Sequence, residues 1–442
     1  MNDDGTSPAP SPVDLTDPVF ISYRQSDGTD ITAELAWMLR AAGIPVWRDR
    51  DDLPPGDTEA RLEQAIADGL SGAILVVTPD VEKSEIVRFV EAPRLIDLHK
   101  AHPAFALGIA NAIERVPGKL DYDAPDLVLA QRPKTLGGVD QHPSDRAGLR
   151  LLVQKMLWHR IAWQRDAIAA AGETFHLSVQ TRNAPQVYDR TGHQLDIRIR
   201  PSLHEKLPSP DGLRDLKDTL GLLPDAITRA GASRVRVHGG AHLSVAFALG
   251  AAMPSSRVGE IQVIDQRQQT WASSHEAKVG ISPLLLVNAE GTNPAPATTG
   301  RPSVAVYLDL LPQRSDDAFA RYREENQHVV TAWEHLVYAS DDLLDHTAAG
   351  EIAAEAAARI RTLSNNIGNA EVHLLLRCPF PIAVLLGRLL NTLRFVTYEW
   401  DDSVVPSGDD YRARYVPSMR VRPSAAGGAI EEVLLADGSD AP

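Results

Sequence analysis

The chain has 442 residues, of which 44 are Lys or Arg and 59 are Asp or Glu, giving a formal net charge of -15. That length carries about two to three domains, each able to bury its own core. The acidic balance argues against binding duplex nucleic acid, whose phosphates demand a basic surface, while local arginine clusters can still hold a small anion. A single cysteine, Cys378, excludes an intrachain disulfide framework, and no window reaches the roughly 18–20 apolar residues of a membrane span. With no signal peptide in view, the expectation is a cytoplasmic protein without a membrane partner.

In chain order, residues 1–17 are rich in Pro, Ser and Asp and predict a disordered lead-in. The run Val19-Phe20-Ile21-Ser22-Tyr23 predicts a strand, and residues 30–42 carry Leu35, Met38, Leu39 and Ala42 at helical spacing, closed by Gly43. Ile44-Pro45-Val46-Trp47 begins a second strand, which runs into the charged, stiffened loop Asp49-Arg50-Asp51-Asp52-Leu53-Pro54-Pro55-Gly56. Residues 60–70 read as helix, Ala73-Ile74-Leu75-Val76-Val77-Thr78 as a buried strand, and Ser84 opens a helix that carries Glu91. This βαβαβα alternation predicts an α/β fold with a parallel sheet and functional loops at the strand C-termini.

Three blocks in this stretch, Phe20-Ile21-Ser22-Tyr23, the loop from Trp47 to Gly56, and Ser84-Glu85-Ile86-Val87-Arg88-Phe89-Val90-Glu91, make it resemble a Toll/interleukin-1 receptor (TIR) domain, with Ile86 where relatives carry an aromatic. The resemblance implies a flavodoxin-like domain over residues 18–120 and, for enzymatic members, cleavage of the nicotinamide N-glycosidic bond of NAD+ through an oxocarbenium-like state. Such a state demands a carboxylate beside the cationic carbon. Glu82, Glu85 and Glu91 compete for that role. Glu85, in the first helical turn, is explained by the helix dipole alone, whereas Glu91 shares a face with Ser84 two turns away, opposite an inward side of Ile86, Phe89 and Val90. Pro93, two residues on, interrupts the helical bonding beside it. A surface glutamate paired with Arg88 or Arg94 is the plain alternative. Around Glu91, the substrate-binding candidates are Tyr23, Arg24, Trp47, Arg50, Lys83 and Ser84, with Arg24 and Arg50 suited to a pyrophosphate. Asp52 and Leu53, on a loop stiffened by Pro54 and Pro55, are suited to contact between TIR domains.

Residues 121–145, with Pro125, Pro133, Gly137-Gly138 and Pro143, read as an inter-domain connection, and residues 146–171 as one long helix expected to dock on the second domain. Together, residues 121–172 form the predicted linker and spacer helix. Beyond them lies an internal similarity at an offset of 137 residues: residues 235–250 lie over 372–387, each a buried strand, a break with Gly or Pro, and an apolar helix. A second strand follows each copy. Two pseudosymmetric Rossmann-like halves are implied, with Gly239-Gly240 and Arg377 with Pro379 at breaks where helix N-termini can gather phosphates.

The motif Pro379-Phe380-Pro381-Ile382-Ala383-Val384-Leu385-Leu386-Gly387-Arg388-Leu389-Leu390-Asn391, with Phe395-Val396-Thr397-Tyr398-Glu399 after it, resembles a SAVED domain, a fused pair of CARF-like units that senses cyclic oligonucleotides. It implies a sensor over residues 173–434, followed by a tail at 435–442. Activator-binding candidates are Arg198, Arg200, Gly239, Gly240, His242, Trp271, Arg377, Pro379 and Tyr398, with Arg234, Arg236, Arg420, Arg422 and Trp400 as further cations and stacking surfaces. No metal site, P-loop, hydrolase elbow or nuclease signature is present in the sequence.

A TIR–SAVED fusion implies an antiphage (CBASS) effector that cleaves NAD+ when a cyclic oligonucleotide, cyclic tri-adenylate by resemblance, drives multimerisation into a ring or filament. NAD+ is then substrate, and no cofactor is expected. The alternative is a non-enzymatic scaffold that recruits other TIR domains.

Overall fold

The computed structural model describes residues 13–47, 58–182, 192–203, 206–274, 278–294, 301–313, 315–340, 342–402 and 413–436. Arg50, Asp52 and Leu53 therefore lie outside the described residues. The chain divides into two compact units, residues 1–166 with 186–195 and residues 167–185 with 196–442. No helix among the described residues is long and apolar enough to cross a membrane.

The first unit is an α/β layer built on strands β1 (Val19–Ser22), β2 (Val46–Trp47), β3 (Gly72–Val77), β4 (Ala106–Asn111) and β5 (Asp140–Pro143), in the order β2-β1-β3-β4-β5 with every pairing parallel. Helices α1 (Gln25–Ala41), α2 (Thr58–Asp68) and α3 (Ala92–Ala101) connect the strands. β3 and β4 are buried along their whole length, as strands covered on both faces must be. Gly43, at φ +86°, supplies the left-handed turn after α1.

Three sequence expectations need correction in this unit. The polar segment at 121–145 is not a plain connection, because Asp140–Pro143 forms the fifth strand beside β4. The long helix α4 (Arg146–Ala170) docks its N-terminal part on the first unit: a Cβ at Gly108 of β4 would lie 2.7 Å from Leu152 Cδ1, and one at Gly148 would lie 2.2 Å from Pro143 O. Finally, the end of the lead-in is held in place. Arg160 donates to the carbonyls of Thr16 and Asp17, Gln164 donates to Leu15 O, and Asp17 is buried.

The second unit realises the internal repeat. Its first half contains β6 (Thr174–Gln180), β7 (Leu195–Arg198), helices α5 (Pro210–Thr219) and α6 (Leu223–Ala230), β8 (Arg234–Gly240), α7 (Leu243–Ala252), β9 (Glu260–Ile264) and β10 (Thr270–Ser274), with strand order β10-β9-β8-β6-β7. The second half contains β11 (Leu285–Thr292), β12 (Ser303–Asp309), α8 (Asp317–Asn326), β13 (Val330–Tyr338), α9 (Ala349–Asn366), β14 (Glu371–Arg377), α10 (Phe380–Leu389), β15 (Phe395–Asp401), β16 (Arg414–Val421) and β17 (Ile430–Val433). Its order is β11-β13-β12-β14-β15-β16-β17. Without the flanking β11 and β17, the run β16-β15-β14-β12-β13 copies the first half strand for strand, down to the antiparallel last pairing.

The apolar helices α7 and α10 pack on each other at the centre of this unit, and two glycines allow it. A Cβ at Gly250 would lie 1.9 Å from Val384 O, and one at Gly387 would lie 2.1 Å from Phe247 O. The same 137-residue offset carries Gly250 onto Gly387 and Phe247 onto Val384, so the two contacts are mirror copies. That reciprocity is the signature of a twofold relation. Arg388, fully buried, then donates from α10 to the carbonyls of Val258 and Gly259 at 2.9 and 2.8 Å, tying the second half to the loop that enters β9.

Candidate functional site

In the first unit, the sheet order reverses direction between β1 and β3. Open α/β sheets of this order bind ligands in the crevice outside that switch point. Glu91 is placed there. Ser22, the last residue of β1, donates its hydroxyl to Glu91 Oε2 at 2.5 Å, and the two residues are 1% and 6% exposed. Glu91 ends a π-helical turn, Val87–Glu91, in which Ala92 N–H reaches back to Val87 O. The cause is local: Pro93 has no N–H to continue the α ladder, and the wider turn absorbs the defect.

That turn also overturns the expected helix face. Ile86 and Phe89 do not pack inward: they are exposed, Phe89 to 60%, with the Arg88 guanidinium 5.1 Å from the Phe89 ring. One extra residue in the turn rotates Glu91 inward and the aromatic outward.

Of the other candidates, Tyr23 is buried, and Trp47 packs partly buried against the core. The Tyr23 hydroxyl and Trp47 Nε1 are buried with no hydrogen-bond partner among the described residues. Arg24, Lys83 and Ser84 are less available than expected. Arg24 Nε donates to Ser26, whose hydroxyl donates to Asp80, and Lys83 pairs with Asp80 at 2.5 Å. Those bonds hold the Asp80 carboxyl below its ordinary range, with the Lys83 hydrogen bond as the main cause. Ser84 Oγ accepts from Val87 N–H at 3.4 Å, at the start of the turn that carries Glu91. Asp27 was not singled out from sequence, yet it accepts from Thr78 Oγ1 and Asp80 N–H and fixes the end of β3 against α1.

In the second unit, a cavity of about 810 Å³ opens at the C-terminal ends of the strands of both halves. The first half lines it mostly with polar groups, Gln180, Arg182, His238 and the turn Asp265-Gln266-Arg267-Gln268-Gln269, together with Ala241, Ile264 and Trp271. The second half lines it with apolar ones: Leu310, Leu311 and Pro312 after β12, Leu343 and Leu344, and Pro379, Phe380 and Pro381 at the start of α10. Asp265 organises the polar wall. Its Oδ1 accepts N–H groups of Arg267 and Gln269, and its Oδ2 accepts Trp271 Nε1 at 3.0 Å. Burial pushes the Asp265 carboxyl up, but the bonds from Trp271 and the two backbone groups outweigh it and hold the group low.

Of the activator-binding candidates, Gly239, Gly240, Trp271 and Pro379 line this cavity together. Gly239 sits at φ +100°, where a Cβ would meet Val179 O at 2.2 Å, whereas Gly240 faces open space. The expected arginines are elsewhere. Arg198 pairs with buried Asp196 and Arg200 with buried Asp215, while Arg377 donates to Asp309 at 2.7 Å. Arg234 and Arg420 pair with Glu260 and Glu371, and Arg236 donates to Gln262. A buried carboxylate needs a cation, and Arg198, Arg200 and Arg377 meet that need first.

Tyr398 is a core residue, sharing His373 Nδ1 with Tyr322 at 2.9 and 2.6 Å. Burial lowers the His373 imidazole to about 4 and raises the Tyr398 hydroxyl to about 12. His242 is buried beside Thr181, which accepts its backbone N–H.

The α7 start also departs from the expected phosphate cradle. Ser244 N–H, in its first turn, is taken by Glu399 Oε1 at 2.8 Å, and Pro381 gives α10 no donor at its second position. Cations for an anionic ligand come instead from Arg182 and Arg267, which sequence reasoning missed. Asp309, Asp316 and His335 bring possible ligand atoms within 4.8 Å of one another, but Asp309 already holds Arg377, which a metal ion would have to displace.

Comparison with known proteins matches a TIR domain to residues 19–110 and a SAVED domain, "SMODS-associated and fused to various effectors sensor domain", to residues 218–420. No curated protein matches the chain. Among solved structures, the Acinetobacter baumannii Cap4 SAVED/CARF-domain containing receptor with the cyclic trinucleotide 3'3'3'-cAAA is 10% identical, with a TM-score of 0.44 over 90% of this chain and 99% of that one. The same receptor with 2'3'3'-cAAA is 11% identical at 0.43, over the same shares. The Moraxella osloensis Cap4 receptor is 11% identical at 0.39, over 89% of this chain and 98% of that one.

Proposed function

We propose that this chain, which is a fusion of an N-terminal TIR domain to a C-terminal SAVED domain, is an NAD+ glycohydrolase switched on by a cyclic oligonucleotide, acting in antiphage defence of the CBASS type. The observation that carries the enzymatic half is Glu91, a buried carboxyl hydrogen-bonded at the C-terminal end of β1, on the switch point of the sheet. A fixed carboxylate there stabilises positive charge on the ribosyl carbon as the C–N bond breaks, with the bonding electrons leaving on neutral nicotinamide. Water then adds to that carbon and releases a proton, giving ADP-ribose. A non-enzymatic adaptor has no use for a buried acid in that position.

The cavity supports the sensing half. Its 810 Å³ is near the upper end of the ~300–1,000 Å³ range of ligand pockets, a size suited to more than a mononucleotide. Two guanidiniums suit phosphates, while Phe380, the leucines and the prolines suit base faces. Cyclic tri-adenylate is the ligand we assign, and ligand-driven multimerisation, with Asp52 and Leu53 between TIR domains, is the activation step.

The test incubates the full chain with NAD+ and a panel of cyclic oligonucleotides and measures nicotinamide. Release only with cyclic tri-adenylate, rising per subunit with protein concentration and lost in Glu91→Gln, is expected. A ligand that binds without any nicotinamide release hands the case to the adaptor reading.

A further inference from the structure

We infer that Ser22 is a positioning residue for the carboxylate of Glu91, setting both its orientation and its charge state; this rests on the reading of Glu91 as the catalytic acid. The two residues are 69 positions apart and meet only because two separate devices bring them together. β1 runs parallel to β3 with Ser22 opposite Leu75, which puts the hydroxyl at the C-terminal edge of the sheet. The π-helical turn Val87–Glu91 then swings Glu91 toward that edge, when an unbroken α register would leave the inward side to Ile86 and Phe89. Extra turns of this kind cost hydrogen-bond geometry and recur at functional sites.

The bond itself has two consequences. A serine hydroxyl has one proton to donate, and at 2.5 Å to Oε2 it makes a charge-assisted bond of the short, strong kind. It therefore fixes rotation of the carboxylate, which a cationic reacting carbon requires to within a fraction of an ångström. Donation to the carboxylate also favours its ionised form over the protonated one. Only the ionised form can oppose positive charge on the ribose, so the hydroxyl keeps the enzyme active toward lower pH.

The deciding experiment uses the full chain, cyclic tri-adenylate and NAD+, and records kcat and KM from pH 5 to 9 for the wild type, Ser22→Ala, Ser22→Thr and Glu91→Gln. In Ser22→Ala, kcat near pH 7 should fall about 10- to 100-fold with KM little changed, as expected for loss of one hydrogen bond to a charged group. The acid limb of its profile should move up by about 1–2 pH units, so that activity partly returns at pH 9. Ser22→Thr retains the hydroxyl and should recover most of the rate, and thermal unfolding of the alanine variant should match the wild type.

An unchanged profile in Ser22→Ala beside a silent Glu91→Gln overturns the role of Ser22 and leaves the glycohydrolase reading intact. So does a loss that is equal at every pH. Full activity in Glu91→Gln removes the underlying reading instead.

Discussion

Gly387→Ala is the perturbation that most directly probes the joint between the two halves of the sensor. The new Cβ would sit 2.1 Å from Phe247 O and 3.0 Å from Ala251 N, and the obstacle is helix backbone, which no rotamer change can clear. α7 and α10 must withdraw by about 1 Å, and a gap of that size forfeits up to about half of each dispersion contact along the crossing. Phe247 and Phe395, edge to face at 4.9 Å, are among the pairs that loosen. Overpacking of this kind costs about 1–3 kcal/mol or more, and the helix-propensity gain of alanine over glycine returns only about 1 kcal/mol. We expect a net loss of about 2 kcal/mol, read by hydrogen exchange of the full chain as a lower opening free energy in peptides from both α7 and α10. Gly250→Ala makes the mirrored clash at Val384 O, and once one Cβ has parted the helices the second costs less, so the double variant should fall short of the sum by about 1 kcal/mol. Loss confined to one helix, or strict additivity, refutes the reciprocal crossing.

The remaining predictions concern charge. Burial raises the Glu399 carboxyl from its ordinary 4.5 to about 7, so its contribution to stability is full below about 4.5 and is lost as pH rises through 7. Glu399→Gln stays neutral and can still accept Ser244 N–H. It should therefore gain on the wild type by about 2–3 kcal/mol between pH 4.5 and 7.5, and parallel stability curves over that range refute the assignment. Arg267→Ala should weaken cyclic tri-adenylate binding at least tenfold by calorimetry while leaving the melting temperature unchanged. Arg377→Glu, by contrast, sets a second carboxylate against buried Asp309 and should lower the melting temperature first; the reverse ranking of the two variants would return Arg377 to the ligand site.

Periodicity made the frame of both units legible in the sequence. The apolar strands around Ile21 and Ile74 and the repeat running from Val235 and from Val372 announce themselves, because strands covered on both faces are apolar throughout. β5 is illegible for the opposite reason: Asp-Gln-His-Pro is a polar edge strand, half-buried at Gln141 and His142, with no apolar run to announce it. The inward turn of Glu91 is not legible in the spacing of Ile86, Phe89 and Val90, because the π-helical turn before Pro93 breaks the α period on which that spacing rests. The arginines failed because their partners are set by the tertiary fold. Arg377 and Asp309 are 68 positions apart, and no local pattern joins them. The cluster Gln266-Arg267-Gln268-Gln269, between two strand-like runs, is the one signal in the sequence of the polar wall that Arg267 occupies.

One wall of the cavity is dominated by amides and guanidiniums around Trp271 and the other is leucine, proline and phenylalanine, so a backbone duplicated in plan has been divided in chemistry. A cyclic ligand of identical nucleotides therefore loses its own symmetry on entry, each nucleotide meeting a different wall. A ring of three like units has about three indistinguishable ways to seat, and a ring with one odd base has a single best one. That degeneracy alone is RT ln 3, about 0.6 kcal/mol or a factor of about three in affinity, in favour of the uniform ring before any base has been read.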